Sequence, residues 1–272
     1  MVTTNKKLAV FALSNKGGVG KTTLAKGFTD YVRREDINAA IYDTDGDVKG
    51  LLKQYGHSDD DGATFSCNPL TDVGYFNMQI DADRENVVNA IESRADVIFF
   101  DTPAGSIRKI FTSLNNASHF ADTLNAEGYE LVLLLLVDPY DDTIDGIQSA
   151  IDLFGEKAKY VVWKNMNNAK PEDFVYFEPA SAVADAEPMF VNDEGAPISA
   201  RELVESYGGL VYEMPYLPLR TNARIRRLHL QFGEAAMPGS QLKVNDRALV
   251  RSWLDELNVQ FADMLAKLGA KP

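Results

Sequence analysis

Cysteine is almost missing from this 272-residue sequence, where Cys67 is the single one. One thiol forms no intrachain disulfide and supplies no metal-ligand pattern. A reducing cytoplasm is therefore the expected setting, and Cys67 the expected semi-buried small apolar residue. Long hydrophobic runs are missing too: no stretch of eighteen uncharged apolar residues occurs, which excludes a membrane-spanning helix. Met1–Lys7 is polar and leads into an apolar run too short for a secretory signal, so no leader is expected. Positive charge is the third shortage. Against 40 Asp and Glu stand 27 Lys and Arg, a net charge of −13. Phosphate repulsion then excludes a protein that coats nucleic acid with its whole surface, and any DNA contact has to be local.

What the sequence does hold is an alternation of short apolar runs and amphipathic stretches. Leu8–Ser14 (LAVFALS) is continuous and ends in a glycine-rich turn, the mark of a strand buried on both faces of a parallel sheet. From Lys21 to about Arg34, Leu24, Ala25, Phe28, Tyr31 and Val32 fall on one helical face. Further strands are expected at Asn38–Tyr42, Val97–Phe100, Leu131–Val137, Tyr160–Trp163 and Gly209–Met214, with helices at Glu85–Arg94 and Thr143–Phe154. Strands alternating with helices imply an α/β fold: a doubly wound, mostly parallel sheet with helices on both faces. The length suits a single domain, 1–272. Two polar stretches break the rhythm, His57–Asp83 and residues 171–197. The second predicts an inserted loop or hairpin at about 171–200, because its apolar residues are sparse. A last helix is expected at about 246–268, with Val250, Trp253, Leu254, Leu257, Phe261, Met264, Leu265 and Leu268 as its apolar stripe.

The first strand and helix are joined by Asn15-Lys16-Gly17-Gly18-Val19-Gly20-Lys21-Thr22. In the standard phosphate-loop pattern a glycine stands where Asn15 is, so the strict motif fails. Gly17, Gly18 and Gly20 still free the backbone to turn its N–H groups around phosphate oxygens, and the positive end of the following helix adds to the attraction. Lys21 supplies a point charge to the β and γ phosphates, and the Thr22 hydroxyl is placed to ligate Mg²⁺. The expected nucleotide contacts are thus Gly17, Gly18, Val19, Gly20, Lys21, Thr22 and Thr23. Strand-end carboxylates complete the pattern. Asp43 and Asp45 follow the second strand at the edge where ligands sit in such folds, unless they form only a solvated acidic turn. Asp101 follows Val-Ile-Phe-Phe where a strand-end carboxylate binds Mg²⁺, a helix N-cap being its competing role.

This run, with its additional lysine Lys16, resembles the ParA/MinD family of deviant-Walker ATPases. The resemblance covers motifs from about residue 8 to 216 and implies a slow, partner-stimulated ATP hydrolase using ATP and Mg²⁺. It gives Lys16 the family lysine's role of reaching the partner subunit's nucleotide, so that ATP holds a homodimer face to face. A cation inserted in trans neutralises charge on the transferred phosphoryl group. By the same resemblance Lys16, Lys21 and Asp45 are catalytic, with Asp45 orienting the attacking water. Asp43 lies near a metal held by Thr22, Asp43 and Asp101, and Thr102-Pro103-Ala104-Gly105 is a second switch. Family members often continue the first acidic segment with Pro-Gln, where this sequence has Gly46-Asp47. Asn165 and Pro215 resemble the residues that address adenine. Guanine-specific relatives place an aspartate where none follows here, which favours ATP.

The biological role of the ATPase rests on weaker segments. Arg220, Arg224, Arg226, Arg227 and His229 form a local basic cluster that either touches DNA phosphates or pairs with the protein's own carboxylates. In a MinD-like positioning ATPase the C-terminal helix would bind membrane, but acidic residues outnumber basic ones along this stripe and no stable membrane association is expected. A cluster-carrying relative is excluded by the single cysteine, and a tyrosine-kinase relative by a tail without tyrosine. The expectation is a ParA-like ATPase in segregation of plasmid or other mobile DNA, or in conjugative transfer, working with a DNA-bound adaptor protein.

Overall fold

The computed structural model describes residues 6–46, 48–58, 64–65, 68–105, 107, 117–192 and 194–270. Cys67 and Asp47 lie outside them. Seven strands form one parallel sheet: β1 (Lys7–Leu13), β2 (Ala39–Asp43), β3 (Gly74–Tyr75), β4 (Val97–Asp101), β5 (Tyr129–Val137), β6 (Lys159–Asn165) and β7 (Leu210–Met214). Their order is β7-β6-β5-β1-β4-β2-β3. The ladders β2/β3, β2/β4, β5/β6 and β6/β7 are each parallel. Every residue of Leu8–Leu13 is buried, and successive strand residues point to opposite faces, so both faces of β1 are covered. That explains why these strands read as unbroken apolar runs rather than alternating ones.

Helices supply the covering: α1 (Lys21–Arg34), α2 (Leu52–Tyr55), α3 (Glu85–Asn89), α4 (Ala117–Ala126), α5 (Asp141–Phe154), α6 (Ala200–Ser206), α7 (Leu219–Arg227), α8 (Phe232–Ala236) and α9 (Val244–Leu268). The chain divides into two compact units, one of Met1–Val10, Thr22–Pro103 and Pro215–Pro272, the other of Phe11–Lys21 and Ala104–Met214. In the first, Phe28 of α1 stacks on Phe99 of β4 at 4.8 Å and meets Phe261 of α9 edge-on at 5.2 Å. Gly27 is required there, since a Cβ would lie 2.8 Å from Leu257. All eight apolar residues expected on the last helix are buried, and α9 ends at Gly269 with φ +81°, the left-handed stop favoured by glycine. In the second unit, Phe11 of β1 packs edge-on against Phe120 of α4.

Two expectations change, and a third gains detail. The helix expected at Glu85–Arg94 is α-helical only to Asn89. It tightens into a 3₁₀ turn over Ala90–Ser93 and stops at Arg94, whose φ is +56°. The polar stretch His57–Asp83 contributes the edge strand β3, whose two residues are too few to leave a periodic signal. The segment after β6 does hold a small antiparallel pair, Phe190–Val191 with Pro197–Ile198. It is nonetheless anchored rather than loose, because Phe174 and Phe177 are fully buried. Lys164 of β6, itself buried, ion-pairs with buried Glu178 at 2.6 Å, and Glu178 also accepts from Arg201 of α6. Few apolar residues sufficed because a buried charge network fixes the segment.

Candidate functional site

The glycine-rich turn belongs to the second unit. Gly18 (φ +80°) and Gly20 (φ +105°) adopt left-handed backbone that L side chains avoid, and this reverses the chain between β1 and α1. A Cβ on Gly20 would meet Met214 at 2.8 Å and the Asn165 amide at 3.0 Å, so the turn is packed as well as twisted. Val19 and Lys21 are buried, while Gly17 and Gly18 are exposed. Lys21 opens α1, whose N-terminal end carries the positive pole of the helix dipole.

Lys16 stands at the entrance of the turn and is half-buried. Its Nζ lies 3.5 Å from Asp138 and 3.5 Å from Asp142, and 4.3 Å above the exposed Tyr140 ring. Desolvation works to lower its pKa, but the charges and hydrogen bonds of Asp138 and Asp142 outweigh it and raise the value. The lysine expected to reach a partner is thus held by carboxylates of its own chain. Neither acid was legible as a partner, because only the approach of the loop to the start of α5 creates the pair.

Asn165, expected at adenine, caps the end of β6. Its amide donates to the Val19 carbonyl at 2.7 Å, and its oxygen accepts from the Asn167 N–H. The side chain therefore shapes the turn itself, with one N–H and one lone pair to spare.

The carboxylates belong to the first unit. Asp43 and Asp101 are register neighbours at the carboxyl ends of β2 and β4, and both are buried. Asp43 accepts three backbone N–H groups: Asp45 at 3.1 Å on one oxygen, Leu51 at 3.0 Å and Leu52 at 2.9 Å on the other. Burial pushes its pKa up, the three donors work against that, and Asp45 adds to the rise. Asp45 accepts from Val48 N–H at 3.3 Å, closing the turn toward Gly50. A Cβ on Gly50 would lie 3.0 Å from the Thr22 methyl, so this acidic turn packs directly on Thr22. Pro215 is half-buried, and its carbonyl accepts from Trp253.

Two residues in this unit escaped the sequence. Asn77 lies so close to Gly46 that a Cβ there would come within 2.0 Å of its amide, so any side chain at position 46 requires Asn77 to move. Lys26 is buried and donates to Gln54 at 2.7 Å. Burial and the charge of Arg226 push its pKa down to about 8, while Asp101 and Asp43 pull the other way. In the basic cluster, Arg224 is ion-paired with buried Asp246, which also accepts from Thr221 at 2.7 Å. Arg220, Arg226 and Arg227 are exposed.

No protein-family model matches the sequence, and no curated protein does. Solved structures do resemble it. The septum site-determining protein MinD of Pyrococcus horikoshii, solved with Mg-ADP, is 13% identical with TM-score 0.50, covering 98% of this chain and 100% of its own. The cell division ATPase MinD of Pyrococcus furiosus is 12% identical with TM-score 0.49, covering 93% and 99%. The MinD cell division protein of Aquifex aeolicus is 18% identical with TM-score 0.45, covering 92% and 98%. At such identities the first of these establishes a common α/β fold, and chemistry has to come from the residues.

Proposed function

We propose that the protein is a Mg-ATP-dependent ATPase that dimerises on ATP and acts in segregation or conjugative transfer of DNA together with a DNA-bound adaptor. The observation that carries the nucleotide assignment is the turn from Gly17 to Gly20, with two left-handed glycines delivering Lys21 and Thr22 as the first residues of α1. Backbone N–H groups there suit phosphate oxygens, and Lys21 adds the point charge. The donor set for a cation is the Thr22 hydroxyl with Asp43 and Asp101. Two carboxylates and a hydroxyl match Mg²⁺ held mainly by phosphate and water rather than by a protein cage. These residues would hold Mg²⁺, which would supply neutralisation of phosphate charge; Asp45 would orient water, and Lys16 of one subunit would stabilise the transferred group of the other.

A MinD protein among the similar structures was solved with Mg-ADP, which supports the choice of nucleotide and metal. Exposed Arg220, Arg226 and Arg227 support contact with a polyanion, whereas Arg224 is already ion-paired with Asp246. A MinD-like positioning role is the second reading: the similar structures are MinD proteins, while the apolar stripe on α9 is buried and, among the described residues, no helix is long and apolar enough to cross a membrane. Calorimetry tests the core of this. Mg-ATP is expected to bind the wild type and not Lys21→Ala. Equal binding by both would remove the glycine turn from the site.

A further inference from the structure

The short helix α2 is tied at both ends, and the two ties lead to different places. At its start, Leu51 just before the helix and Leu52, its first residue, donate their N–H groups to one oxygen of Asp43. Its last residue, Tyr55, is buried and donates its hydroxyl to Asp30 of α1 at 2.5 Å. The same hydroxyl accepts the N–H of Phe232, the first residue of α8, at 2.8 Å. Asp30 in turn accepts from the Gly233 N–H. One residue earlier, Gln54 donates to the Leu230 carbonyl and accepts from Lys26. The segment Leu230–Phe232 directly follows α7, the helix that bears Arg220, Arg226 and Arg227.

We propose that α2 is a coupling strut through which Gln54 and Tyr55 transmit the state of Asp43 to the Leu230–Phe232 segment, and thereby to the arginine helix α7. The inference rests on the nucleotide assignment above and adds the route by which nucleotide reaches the polyanion-binding face. The physical basis is competition for lone pairs. A carboxylate offers about four acceptor sites, and three on Asp43 are taken by backbone donors. A new partner on Asp43 takes the remaining acceptor site or competes with these donors, and in the proposal the shift falls on Leu51 and Leu52, whose two N–H groups share one oxygen. These donors begin a helix of only four residues. Leu52 and Tyr55 are the two ends of this single turn, so the path from the Asp43 tie to the Asp30 and Phe232 tie is one turn long. Lys26 reinforces the link through its hydrogen bond to Gln54 at 2.7 Å. Gln54 and Tyr55 touch neither phosphate nor metal and act as positioning residues.

The protein carries its own reporter. Phe232 packs on Trp253 with ring centroids 4.8 Å apart, and the only other tryptophan is Trp163. In full-length Trp163→Phe, saturating Mg-ATP is expected to change Trp253 emission and to alter hydrogen exchange over residues 230–236. Adding Tyr55→Phe keeps the ring and removes the hydroxyl bridge. It is expected to leave nucleotide affinity, measured by calorimetry, unchanged while abolishing both responses, and Gln54→Ala is expected to weaken them. Undiminished responses in Tyr55→Phe with normal Mg-ATP binding would overturn the strut. Absent responses in the tyrosine-containing protein, despite binding, would do the same. Failure of Mg-ATP to bind at all would instead strike the nucleotide assignment, and the strut with it.

Discussion

Gly20 shows what a single residue carries at this site. Its φ of +105° costs an L residue about 1–2 kcal/mol, and a methyl group there would have to displace the Met214 side-chain terminus at 2.8 Å and the Asn165 amide at 3.0 Å. Gly20→Ala is therefore expected to lower both unfolding free energy and Mg-ATP affinity, measured by urea titration and calorimetry. A variant with unchanged affinity would mean the turn does not have to keep this shape. Asp30 makes a pH prediction. Burial pushes its pKa up to about 7, Tyr55 and the Gly233 N–H oppose the rise, Glu234 adds to it and Arg34 opposes it. The folded value thus exceeds the unfolded value near 3.9, so between these pH values the folded chain holds a proton that the unfolded chain releases. The associated stability is fully present at the acidic end of that window and is lost as pH rises through about 7. Asp30→Asn is expected to flatten the dependence of the urea midpoint between about pH 5 and about pH 7. An unchanged slope would mean Asp30 ionises normally.

At the scale of elements, the charge network around Glu178 holds the segment between β6 and α6. Glu178→Ala leaves Lys164 buried with only Glu213 at 2.9 Å, a partner half in water. A loss of about 3–5 kcal/mol is expected from breaking such a pair, with faster proteolysis within residues 171–199. A loss no larger than that of a surface substitution would show that the segment is anchored by its phenylalanines alone. This segment also marks the limit of what sequence pattern carries. The core strands were legible because burial on both faces demands unbroken apolar runs, as in Leu131–Val137, and α1 because its apolar spacing begins at Lys21 and ends at Arg34. The strand β3, the 3₁₀ ending after Asn89 and the anchoring of Phe174 and Phe177 depend on tertiary partners that no local period encodes. Within the candidate site the glycines, Lys21, Thr22 and the strand-end aspartates follow from motif and position. The hold on Lys16 by Asp138 and Asp142, the approach of Asn77 to Gly46 and the ties of α2 join residues remote in sequence, and so remained hidden.

For the molecule as a whole, a net charge of −13 makes any duplex contact depend on a few exposed arginines. With Arg220, Arg226 and Arg227 each neutralising one phosphate, the slope of log affinity against log salt is expected near −3, at roughly 0.9 per contact. Arg226→Ala with Arg227→Ala is expected to reduce it by about 2, whereas Arg224→Ala acts mainly on stability through Asp246. Duplex binding untouched by the double variant would move the polyanion surface elsewhere. In the proposed function, dimer formation is the property from which both hydrolysis and DNA engagement follow. Light scattering of wild type and Lys16→Ala, with and without Mg-ATP, measures it directly. The wild type is expected to pass from monomer to dimer on nucleotide, and Lys16→Ala to bind nucleotide yet stay monomeric. Equal dimer fractions in the two proteins would contradict a lysine lent from one subunit to the other.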